Sequence, residues 1–574
     1  MFTVDALLKH QVPRLATLPL VASPCRSLLR HLFRERQFAR FRANHPHARG
    51  MDLVEQLLEF LHCTWTVSEQ DRENIPATGR VMIVANHPIG TLDGLVLLRL
   101  VHEVRPDVRI VANDLLTAIG PLQPCLLPVP VLAGMSGRAQ INRIEQALAN
   151  EEAVILFPAG EVSRLGPRGV RDRPWRKGFL RLAARAKAPI LPIHIRARNS
   201  LAFYAVSAVA KPLSTLMLVN EMFRPGQRLL RLTIGGLVPH EVYAGLTIRE
   251  QDKVDLFRRH VYRLGANKKG ILAAERAIAR PERRIILKRS IQAGEMLGRT
   301  PDGRTIHLFN GTENSPVLRE IGRLREITFR AVGEGTGGRR DADTFDGWYR
   351  HLVLWSEEDL EIVGAYRLAD AAALVRERGC AGLYTHSLFQ FSAADFPYLE
   401  NGLELGRSFI QQRYWGKRSL DALWYGVGAF LRRHPQYRYL FGPVSISNSM
   451  PPLARDLLVY FYQRYFAAPA NRPRSRDPFR FSRPVADLAR SFRGDDYRQD
   501  LTQLKALLAA MGSSIPTLYK QYTELCLPGG AFFLDFNVDR QFGDCIDGLV
   551  VIDTQLLKPA KRRRYIEDPR PALA

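Results

Sequence analysis

The chain has 574 residues, which is too long for one ordinary hydrophobic core, so two or more domains are expected. Hydrophobic residues make up 46% and charged residues 24% of the sequence, which excludes a largely disordered or fibrous protein. The 82 Lys and Arg residues exceed the 57 Asp and Glu residues, and the net charge of +25 favours an anionic partner: nucleic acid, anionic lipid or an acidic protein.

The sequence lacks the motifs that are typical of several classes of partner and cofactor. The sequence has no zinc-finger spacing, no aromatic RNA-binding signature and no basic region leading into heptads, so no nucleic-acid partner is expected. The six Cys residues form no C-x-x-C pair, which disfavours a disulfide framework or a zinc site and fits a reducing cytosol. No metal ion and no signal peptide are expected.

Residues 1–75 are predicted as a basic helical segment. The stretch RSLLRHLFRERQFARF, Arg26 to Phe41, places leucines and phenylalanines among arginines in the pattern of an amphipathic helix. Two interpretations stay open: a helix that lies on an anionic membrane surface, or a solvated helix that packs on the next domain.

Strands and helices alternate from Arg80 onward, which predicts an α/β domain with a largely parallel sheet over residues 76–285. The β-rich runs are RVMIVAN, VRIVAND, AVILFPAG and APILPIHI, and the helical patterns between them include NRIEQALAN and RKGFLRLAARAKA. Ligand sites in such sheets lie at the carboxyl ends of strands. NHPIGTLDG and FPAGEVSR both follow a strand directly, so they mark the candidate site.

His87 and Asp93 are the candidate catalytic residues of this domain. His87 follows the strand VMIVA and Asp93 opens an apolar helix, so the carboxylate can orient the imidazole and leave its other nitrogen as a base for a hydroxyl. A plain helix cap by Asp93 is the alternative. The letters ANHP recur at residues 43–46, but His45 follows no strand and has no Asp at matching distance, so it is interpreted as a surface residue.

The two motifs resemble the first and third motifs of the glycerolipid (lysophospholipid) acyltransferases over roughly residues 75–245. The resemblance implies that His87 is the general base, that Asp93 orients it, and that an acyl chain moves from a thioester to a hydroxyl. Five residues separate His87 from Asp93 where the family has four, and Gly90 is expected to absorb the extra one in a tighter bend. The residues expected to bind substrate or donor are Asn86, Gly90, Glu161 and Arg164.

The third motif departs from the family form F-P-E-G-T-R-S. Ala159, Glu161 and Val162 stand where that form has Glu, Thr and Arg. The missing arginine is the family's contact to an acceptor phosphate, so an acceptor without glycerol phosphate is expected, with Arg164 as a possible substitute. The stretch RDRPWRKG, Arg171 to Gly178, is either a basic rim for a carrier's phosphate or lipid headgroup, or a solvated loop.

No run reaches 18 uninterrupted apolar residues, and the nearest, Leu201 to Val219, is broken by Lys211-Pro212. This run is predicted either as a buried helix followed by a strand or a second helix, or as an apolar surface that touches lipid.

Residues 286–309 are charged and punctuated by Gly and Pro, which predicts a linker, and residues 310–574 are predicted as a second, α+β domain. In that domain VLREIGRLREITFRAV reads as a helix, and EIVGAYRLA and CAGLYTHSLFQF read as strands.

Arg325 and Phe329 lie four apart on one predicted helix face of the second domain. The polar residues that follow in chain order are Asp343, Asp346, Arg367, Glu404 and Arg407. In this order they resemble the N-acyltransferases of the GNAT superfamily, in particular the hemolysin-like ornithine N-acyltransferases, over about residues 310–559. The resemblance implies an acyl group taken from acyl carrier protein and attacked by an α-amino group, with acyl-ACP or acyl-CoA as donor substrate and no further cofactor.

The same resemblance assigns roles within this domain. Glu404 is the candidate base for the amine, although Asp343 and Asp346, which could instead hold a cationic amino acid, stay open as alternatives. Arg413 and Gly416 are expected in the loop before a helix whose N-terminus receives the donor's phosphates.

An O-acyltransferase-like half followed by an N-acyltransferase-like half resembles the bifunctional bacterial ornithine lipid synthases. The resemblance implies that ornithine is acylated first, that the lyso-ornithine lipid is then O-acylated, and that the partners are acyl carrier protein and anionic lipids at the cytoplasmic face of the inner membrane, bound peripherally. Two alternatives stay open: a lysophospholipid O-acyltransferase with a non-catalytic C-terminal domain, and a membrane-binding hemolysin-like protein.

Overall fold

The computed structural model describes residue 30 and residues 34–113, 120–129, 138–167, 169–209, 211–224, 228–311, 315–394, 396–416, 418–468 and 473–567. The chain divides into two compact units, Met1–Ala279 and Arg280–Ala574. Of the predicted basic helical segment, 1–75, residues 1–29 and 31–33 lie outside the described residues. The rest is not a separate helical segment, because residues 34–75 form three helices and one strand of the first unit, with Leu53, Val54 and Cys63 buried in its core.

The first unit is built on a seven-stranded sheet. Its strands are β1 (Cys63–Thr66), β2 (Val81–Ala85), β3 (Val108–Asn113), β4 (Leu126–Val129), β5 (Ala153–Leu156), β8 (Ile190–Arg196) and β9 (Arg228–Ile234), and a separate hairpin contains β6 (Arg164–Gly166) and β7 (Gly169–Arg171). The sheet order is β1-β9-β8-β2-β5-β3-β4. Only β8 and β9 pair in antiparallel fashion. The predicted strands at β2, β3, β5 and β8 are confirmed.

Helices cover both faces of this sheet. They are α1 (Glu35–Asn44), α2 (Gly50–Phe60), α3 (Glu69–Arg72), α4 (Thr91–His102), α5 (Arg138–Ala149), α6 (Gly178–Arg185), α7 (Leu201–Val209), α8 (Lys211–Met222), α9 (His240–Ala244) and α10 (Glu250–Leu264). One core layer includes side chains of α2 and α4, and the other includes side chains of α5, α6 and α10. Every residue of β2 is buried, as expected for a strand between two helical layers. The predicted α/β class is confirmed.

The second unit contains an eight-stranded mixed sheet. Its strands are β10 (Glu295–Arg299), β11 (Thr305–Asn310), β12 (Arg350–Ser356), β13 (Glu361–Asp370), β15 (Gly402–Ile410), β16 (Tyr439–Ile446), β18 (Ala531–Asp539) and β19 (Cys545–Asp553), and two short strands, β14 (Phe389–Gln390) and β17 (Arg474–Ser475), pair separately. The order is β10-β11-β12-β13-β15-β16-β19-β18. All pairs in it are antiparallel except β15 with β16.

Helices of the second unit pack around this sheet. They are α11 (Arg284–Gln292), α12 (Pro316–Ala331), α13 (Ala371–Arg378), α14 (Tyr384–Leu388), α15 (Ser419–Arg433), α16 (Pro452–Tyr465), α17 (Val485–Ala489), α18 (Tyr497–Ala510), α19 (Thr517–Leu525) and α20 (Pro559–Arg562). The largest core of the unit lies between the sheet and the helices α15, α16, α18 and α19. This arrangement fits the predicted α+β domain.

Strands β15 and β16 separate along their length. They pair only where Gly402–Glu404 lies beside Tyr439–Phe441, although both strands continue beyond this stretch. In β15, Arg407 and Ser408 stand together opposite one residue of β13, Tyr366, which is the geometry of a β-bulge. Arg407 has a φ of 48°, in the left-handed region. The two strands therefore form the walls of a wedge that opens toward the end of β16.

The predicted linker, 286–309, is wrong. The segment contains most of α11 together with β10 and β11, and the compact units divide before it, at Ala279. Pro301 and Gly303 mark the turn of the β10–β11 hairpin, where Gly303 has a φ of 83°, and not a flexible connection. Ile291, Leu297 and Ile306 are buried in the cores of the second unit.

Two further stretches needed the structure to be assigned. CAGLYTHSLFQF, predicted as a strand, forms a 3-10 turn (Cys380–Gly382) and helix α14, and only Phe389–Gln390 is extended. The apolar run from Leu201 forms the helices α7 and α8, with Phe203 and Tyr204 buried and Leu201 and Val209 exposed.

Within the described part of the chain, no helix is both long enough and apolar enough to span a membrane.

Candidate functional site

The first site lies at the carboxyl end of β2. His87 Nδ1 lies 3.1 Å from Asp93 Oδ2. The same carboxylate oxygen accepts the backbone N–H groups of Ile89 (2.9 Å) and Gly90 (3.0 Å) at the start of α4. Gly90 has a φ of 94°, which shows how the loop accommodates the extra residue. Asp93 therefore caps the helix and faces the imidazole at once, and Nε2 is the nitrogen left to accept a proton.

The Asp93 carboxylate is buried next to the His87 imidazole, which favours proton uptake by the imidazole. The side chain of Asp93 is fully buried, whereas that of His87 is 18% exposed. Burial raises the pKa of the Asp93 carboxyl, and the hydrogen bonds from His87 and the backbone act against that rise. A proton gained by the imidazole would offset the negative charge in this buried setting, so the pair suits a general base.

The third motif contacts the first directly. The ring of Phe157 stacks on the ring of His87, with centroids 4.0 Å apart and planes 22° from parallel. The backbone N–H of Ser163 donates to the carbonyl oxygen of His87 over 2.7 Å. The two sequence motifs thus form one rigid loop pair at the end of β2 and β5.

Asp172 holds this loop pair together. Its Oδ1 accepts the backbone N–H of His87 (3.1 Å) and the hydroxyl of Ser163 (2.5 Å), and its Oδ2 accepts the indole N–H of Trp175 (2.8 Å). Asp172 is only 2% exposed. The stretch Arg171 to Gly178 is predicted as a basic rim or a solvated loop, but Asp172 within it is a buried hydrogen-bond acceptor. The available sequence signal for Asp172 is that it is a single acid in the basic stretch RDRPWRKG.

Two predicted binding residues have structural partners. Asn86 is buried, and its amide both donates to and accepts from the backbone of Ile195 in β8 (2.9 and 2.7 Å). Because its polar atoms are used there, the structure favours a positioning role over contact with substrate. Arg164 donates to the hydroxyl of Ser207 and lies over the ring of Phe203, both in α7.

The remaining predicted residues of this domain, Gly90 and Glu161, lie in the motif loops. Glu161 lies 3.6 Å from Arg164 and 3.6 Å from Arg173 in ion pairs. A side-chain carbon on Gly90 would lie 3.5 Å from Leu218 of α8. The α7–α8 pair therefore borders the His87 loop. His45, in the second copy of the letters ANHP, follows the last residue of α1 and packs on Phe41. It has no ion pair with a described carboxylate.

The second site contains a buried network of ions. Arg325 donates to Asp346 Oδ1 (2.8 Å), and Arg367 donates to Asp343 (2.5 Å) and to the same Asp346 oxygen (3.2 Å). Arg325, Asp346 and Arg367 are all at most 3% exposed. Burial alone would raise the pKa of Asp346, but the two guanidinium groups hold it well below its usual range. Four residues predicted from the sequence therefore form hydrogen bonds with one another: Arg325, Asp343, Asp346 and Arg367.

Glu404 is enclosed by hydrogen bonds. Its Oε1 accepts the backbone N–H (2.6 Å) and the hydroxyl of Thr385 at the start of α14, and its Oε2 accepts the hydroxyl of Tyr349. Burial raises the pKa of Glu404, opposed by these hydrogen bonds. Both oxygens are occupied and the residue is 1% exposed, so the structure favours a positioning role over the predicted role of base. No motif in the sequence predicts Tyr349 and Thr385 as partners of Glu404.

Arg407 lies at the β15 bulge between two aromatic rings. Its guanidinium is 4.8 Å from the ring centroid of Tyr384 and 4.5 Å from that of Phe542. It lies 3.4 Å from Asp341 and 3.5 Å from Asp343, and it makes no hydrogen bond with a described residue. The predicted Phe329 packs on Phe542, with ring centroids 5.0 Å apart. Arg407 therefore keeps donors for a ligand.

The predicted donor-binding residues Arg413 and Gly416 precede α15. Arg413 donates to Asp359 (2.7 Å) and Glu361 (2.8 Å) beside the β12–β13 turn, so its guanidinium is engaged in ion pairs. Gly416 has a φ of 75°. It lies three residues before the first residue of α15, Ser419, so a glycine-dependent bend leads into that helix.

Comparisons with known proteins match both units. Residues 52–270 match a family model described as acyltransferase, and residues 324–425 match one described as acetyltransferase (GNAT) domain. The chain is 32% identical over 303 residues to a glycine N(alpha)-acyltransferase of Bacteroides thetaiotaomicron, covering 50% of this chain and 89% of the relative. It is 31% identical over 201 residues to a lyso-glycine lipid O-acyltransferase of the same organism, covering 34% and 73%.

The chain belongs to the acyltransferases. This acyltransferase has an acyltransferase domain followed by an acetyltransferase (GNAT) domain, and the predicted enzyme class is confirmed. A further relative, the L-ornithine N(alpha)-acyltransferase of Brucella abortus, is 32% identical over 147 residues, covering 23% of this chain and 50% of the relative.

In this acyltransferase, replacing Asp172 with Ala is expected to lower O-acyl transfer by about 10²-fold, because it frees the backbone of His87 and misplaces the base. The measurement is the rate at which the purified chain O-acylates a supplied lyso-lipid. Asp252→Ala, which removes an exposed acid of α10 paired with Arg249, is the control and should retain the rate within a few fold. An unchanged rate in Asp172→Ala would show that the loop pair holds without this carboxylate.

Proposed function

We propose that the chain makes a diacylated aminolipid in two acyl transfers. The second domain joins a 3-hydroxyacyl group to the α-amine of an amino acid, and the first domain esterifies the 3-hydroxyl of that lyso-lipid. One observation carries the proposal: a single chain combines an O-acyltransferase domain and a GNAT-type domain and is similar to separate relatives named for an N-acylation and for the O-acylation of a lyso-aminolipid.

The first site supports the O-acylation step. With Nδ1 facing Asp93, the Nε2 atom of His87 takes the proton of the 3-hydroxyl as its oxygen attacks the thioester carbonyl. Val162, at the position of the family's phosphate-contacting arginine, is buried in an apolar cluster with Phe203 and Tyr204. An apolar cluster at that position supports an acceptor without a phosphate, such as a lyso-aminolipid.

Ornithine and glycine are the two candidate headgroups. Ornithine is proposed from the resemblance of the second-domain residues, and a relative named for L-ornithine N-acylation supports it. Glycine is the second candidate, because relatives named for glycine are matched over 89% and 73% of their own lengths.

The donor and the location are part of the proposal. An acidic acyl carrier protein is the proposed donor, with acyl-CoA as the alternative, and the net charge of +25 supports it. We place the enzyme peripherally at the cytoplasmic face of the bacterial inner membrane. One face of α7, beside the first site, exposes an apolar row that supports lipid contact. The row is Leu201, Ala202, Ala205, Ala208 and Val209.

The test uses the purified full chain with 3-hydroxyacyl carrier protein, a second acyl carrier protein and either ornithine or glycine, followed by mass spectrometry of the lipids. We expect an N-acylated lyso product first and a diacyl product later. Acylation of lysophosphatidic acid with no acylation of either amino acid would instead support the lysophospholipid alternative. Vesicle leakage without any acyl transfer would support the hemolysin-like alternative.

A further inference from the structure

Two carboxylates outside the predicted site residues lie where α12 meets the β16, β18 and β19 end of the sheet. Asp547 of β19 is the register partner of Ser445 in β16 and of Asn537 in β18. Glu334 follows the end of α12, and a side-chain carbon on Gly543, in the β18–β19 turn, would lie 3.3 Å from its Cα atom. The two acids therefore lie on the side of the wedge formed by β16, across from β15.

Both carboxylates have unused acceptor capacity. Asp547 is only 3% exposed, and its Oδ1 accepts the hydroxyl of Ser445 (2.8 Å) and the weak thiol donor of Cys545 (3.8 Å). Its Oδ2 receives no hydrogen bond from a described residue, and neither does the side chain of Glu334. Glu334 is half-buried, whereas Asp547 is a buried carboxylate with one unpaired oxygen, which is costly. This arrangement favours a ligand that donates hydrogen bonds and carries positive charge.

Asp539, a third acid nearby, differs from Asp547 and Glu334 because both of its carboxylate oxygens accept hydrogen bonds. Asp539 of β18 accepts the hydroxyl of Tyr384 (3.1 Å) and the backbone N–H of Gln541 (2.9 Å), one at each carboxylate oxygen. Its polar atoms are therefore used within the protein. The capacity for a ligand is left to Asp547 and Glu334.

Arg407 supplies the opposite charge at the same place. Its guanidinium lies 4.5 Å from the ring centroid of Phe542, which precedes Gly543 in the turn that approaches Glu334. It lies 3.4 Å from Asp341 and 3.5 Å from Asp343, but it makes no hydrogen bond with a described residue. A cation with free donors beside two acids with free acceptors is complementary to a zwitterion. The α-ammonium and α-carboxylate of a free amino acid have this pattern.

We propose that Asp547 and Glu334 bind the α-ammonium group of the amino-acid substrate and accept its proton, while Arg407 binds the α-carboxylate. The inference rests on the proposed function and names the substrate-binding residues of its N-acylation step. It assigns to Asp547 and Glu334 the proton transfer for which Glu404 was the candidate.

The proton count of the step is balanced. The ammonium gives one proton to the carboxylate pair, and the neutral nitrogen attacks the thioester carbonyl. The new C–N bond forms, the C–S bond breaks, and the second proton lost by nitrogen passes to the departing thiolate. The products are the amide and the free thiol, and the proton held by the pair returns to solvent.

The titration of the pair suits this role. Burial, together with the negative charge of Asp539, raises the pKa of Asp547 to about 7. Burial, together with the charge of Asp547, raises the pKa of Glu334 to about 8. A base whose pKa is close to neutrality transfers protons effectively at that pH. The other titratable or charged groups that face the pair are Arg407 of β15, Tyr384 of α14, Asp539 of β18, Cys545 of β19 and Tyr519 of α19.

Asp547→Asn and Glu334→Gln in the full chain test the proposal, with glycine and ornithine each varied against 3-hydroxyacyl carrier protein. We expect kcat/KM for either amino acid to fall by about 10²-fold in Asp547→Asn. In Glu334→Gln the rise of the rate with pH between about 6 and 8 should flatten, because a group that must lose its proton in this range is gone. Asp544→Asn, an exposed acid in the same hairpin, is the matched control and should leave kcat/KM unchanged.

The O-acylation of a supplied lyso-lipid by the same molecules serves as an internal control for folding. It should stay at the wild-type rate, and the thermal midpoint should not fall, because each variant removes an unpaired charge. Wild-type kcat/KM for the amino acids in both variants, or a loss of O-acylation in step with N-acylation, overturns the proposal. Failure of the proposed function is distinguishable, since in that case the wild-type chain itself acylates neither amino acid.

Discussion

Replacing His87 with Ala is expected to stop formation of the diacyl product and to leave the N-acylated lyso-lipid to accumulate. The rate of O-acylation should fall by about 10²–10⁴-fold, because a positioned general base contributes that much to proton transfer in the transition state. The measurement is the ratio of diacyl to lyso product, by mass spectrometry, in lipid extracts and in assays of the purified chain.

The chain provides its own control for this variant. His45 lies in a second copy of the four letters ANHP, but it ends a helix and has no ion pair with a described carboxylate, so His45→Ala should leave the product ratio unchanged. Undiminished diacyl product in His87→Ala would remove this residue from the mechanism. A fall of similar size in both variants would point to a general effect on the fold instead.

The second large effect is expected at Asp346. Asp346→Ala leaves Arg325 and Arg367 as buried charges without this shared partner, which should destabilise the second domain by about 3–5 kcal/mol and abolish N-acylation. The measurement is urea unfolding, followed by the fluorescence of the tryptophans in that domain. The activity assay is run in parallel on the same preparation.

An exposed ion pair in the same domain calibrates this result. Glu357 lies 3.2 Å from Lys288, and both side chains are more than a third exposed. Glu357→Ala should therefore cost less than about 1 kcal/mol and retain N-acylation. Equal losses of stability in the two variants would contradict the buried-network interpretation of Asp346.

The local parts of the first site were predictable from the sequence. His87 and Asp93 are close along the chain, and the strand before them and the helix after them fix their relative position. Asp172 was not predictable, because its partner His87 lies 85 residues away and only the fold brings the two together. A single acid in a basic run indicated something unusual there, but not its contact.

In the second site, the chain order of the charged residues predicted which groups matter but not what each one does. The family resemblance makes Glu404 the candidate base, but the structure shows hydrogen bonds at both of its carboxylate oxygens. The free acceptors lie instead on Asp547 and Glu334, which sheet pairing and a helix end bring together. Asp547 within the apolar run CIDGLVVID was the available signal.

The prediction of a linker at 286–309 was wrong for a related reason. Glycine and proline punctuate a tight hairpin and a flexible linker alike, and only burial separates the two cases. The hairpin of β10 and β11 has its apolar residues in the core, and that depends on a neighbouring strand, β12, more than forty residues later in the chain.

The bend at Gly90 affects how related sequences are found. A search pattern that fixes four residues between the histidine and the aspartate would not detect this chain, although the two side chains meet at 3.1 Å. A pattern that also allows five residues, with glycine required at the third, keeps the geometry while widening the search. Chains with five residues and any other amino acid at that position would need to adopt a φ of about 94°, which only glycine reaches readily, so such matches should be discarded.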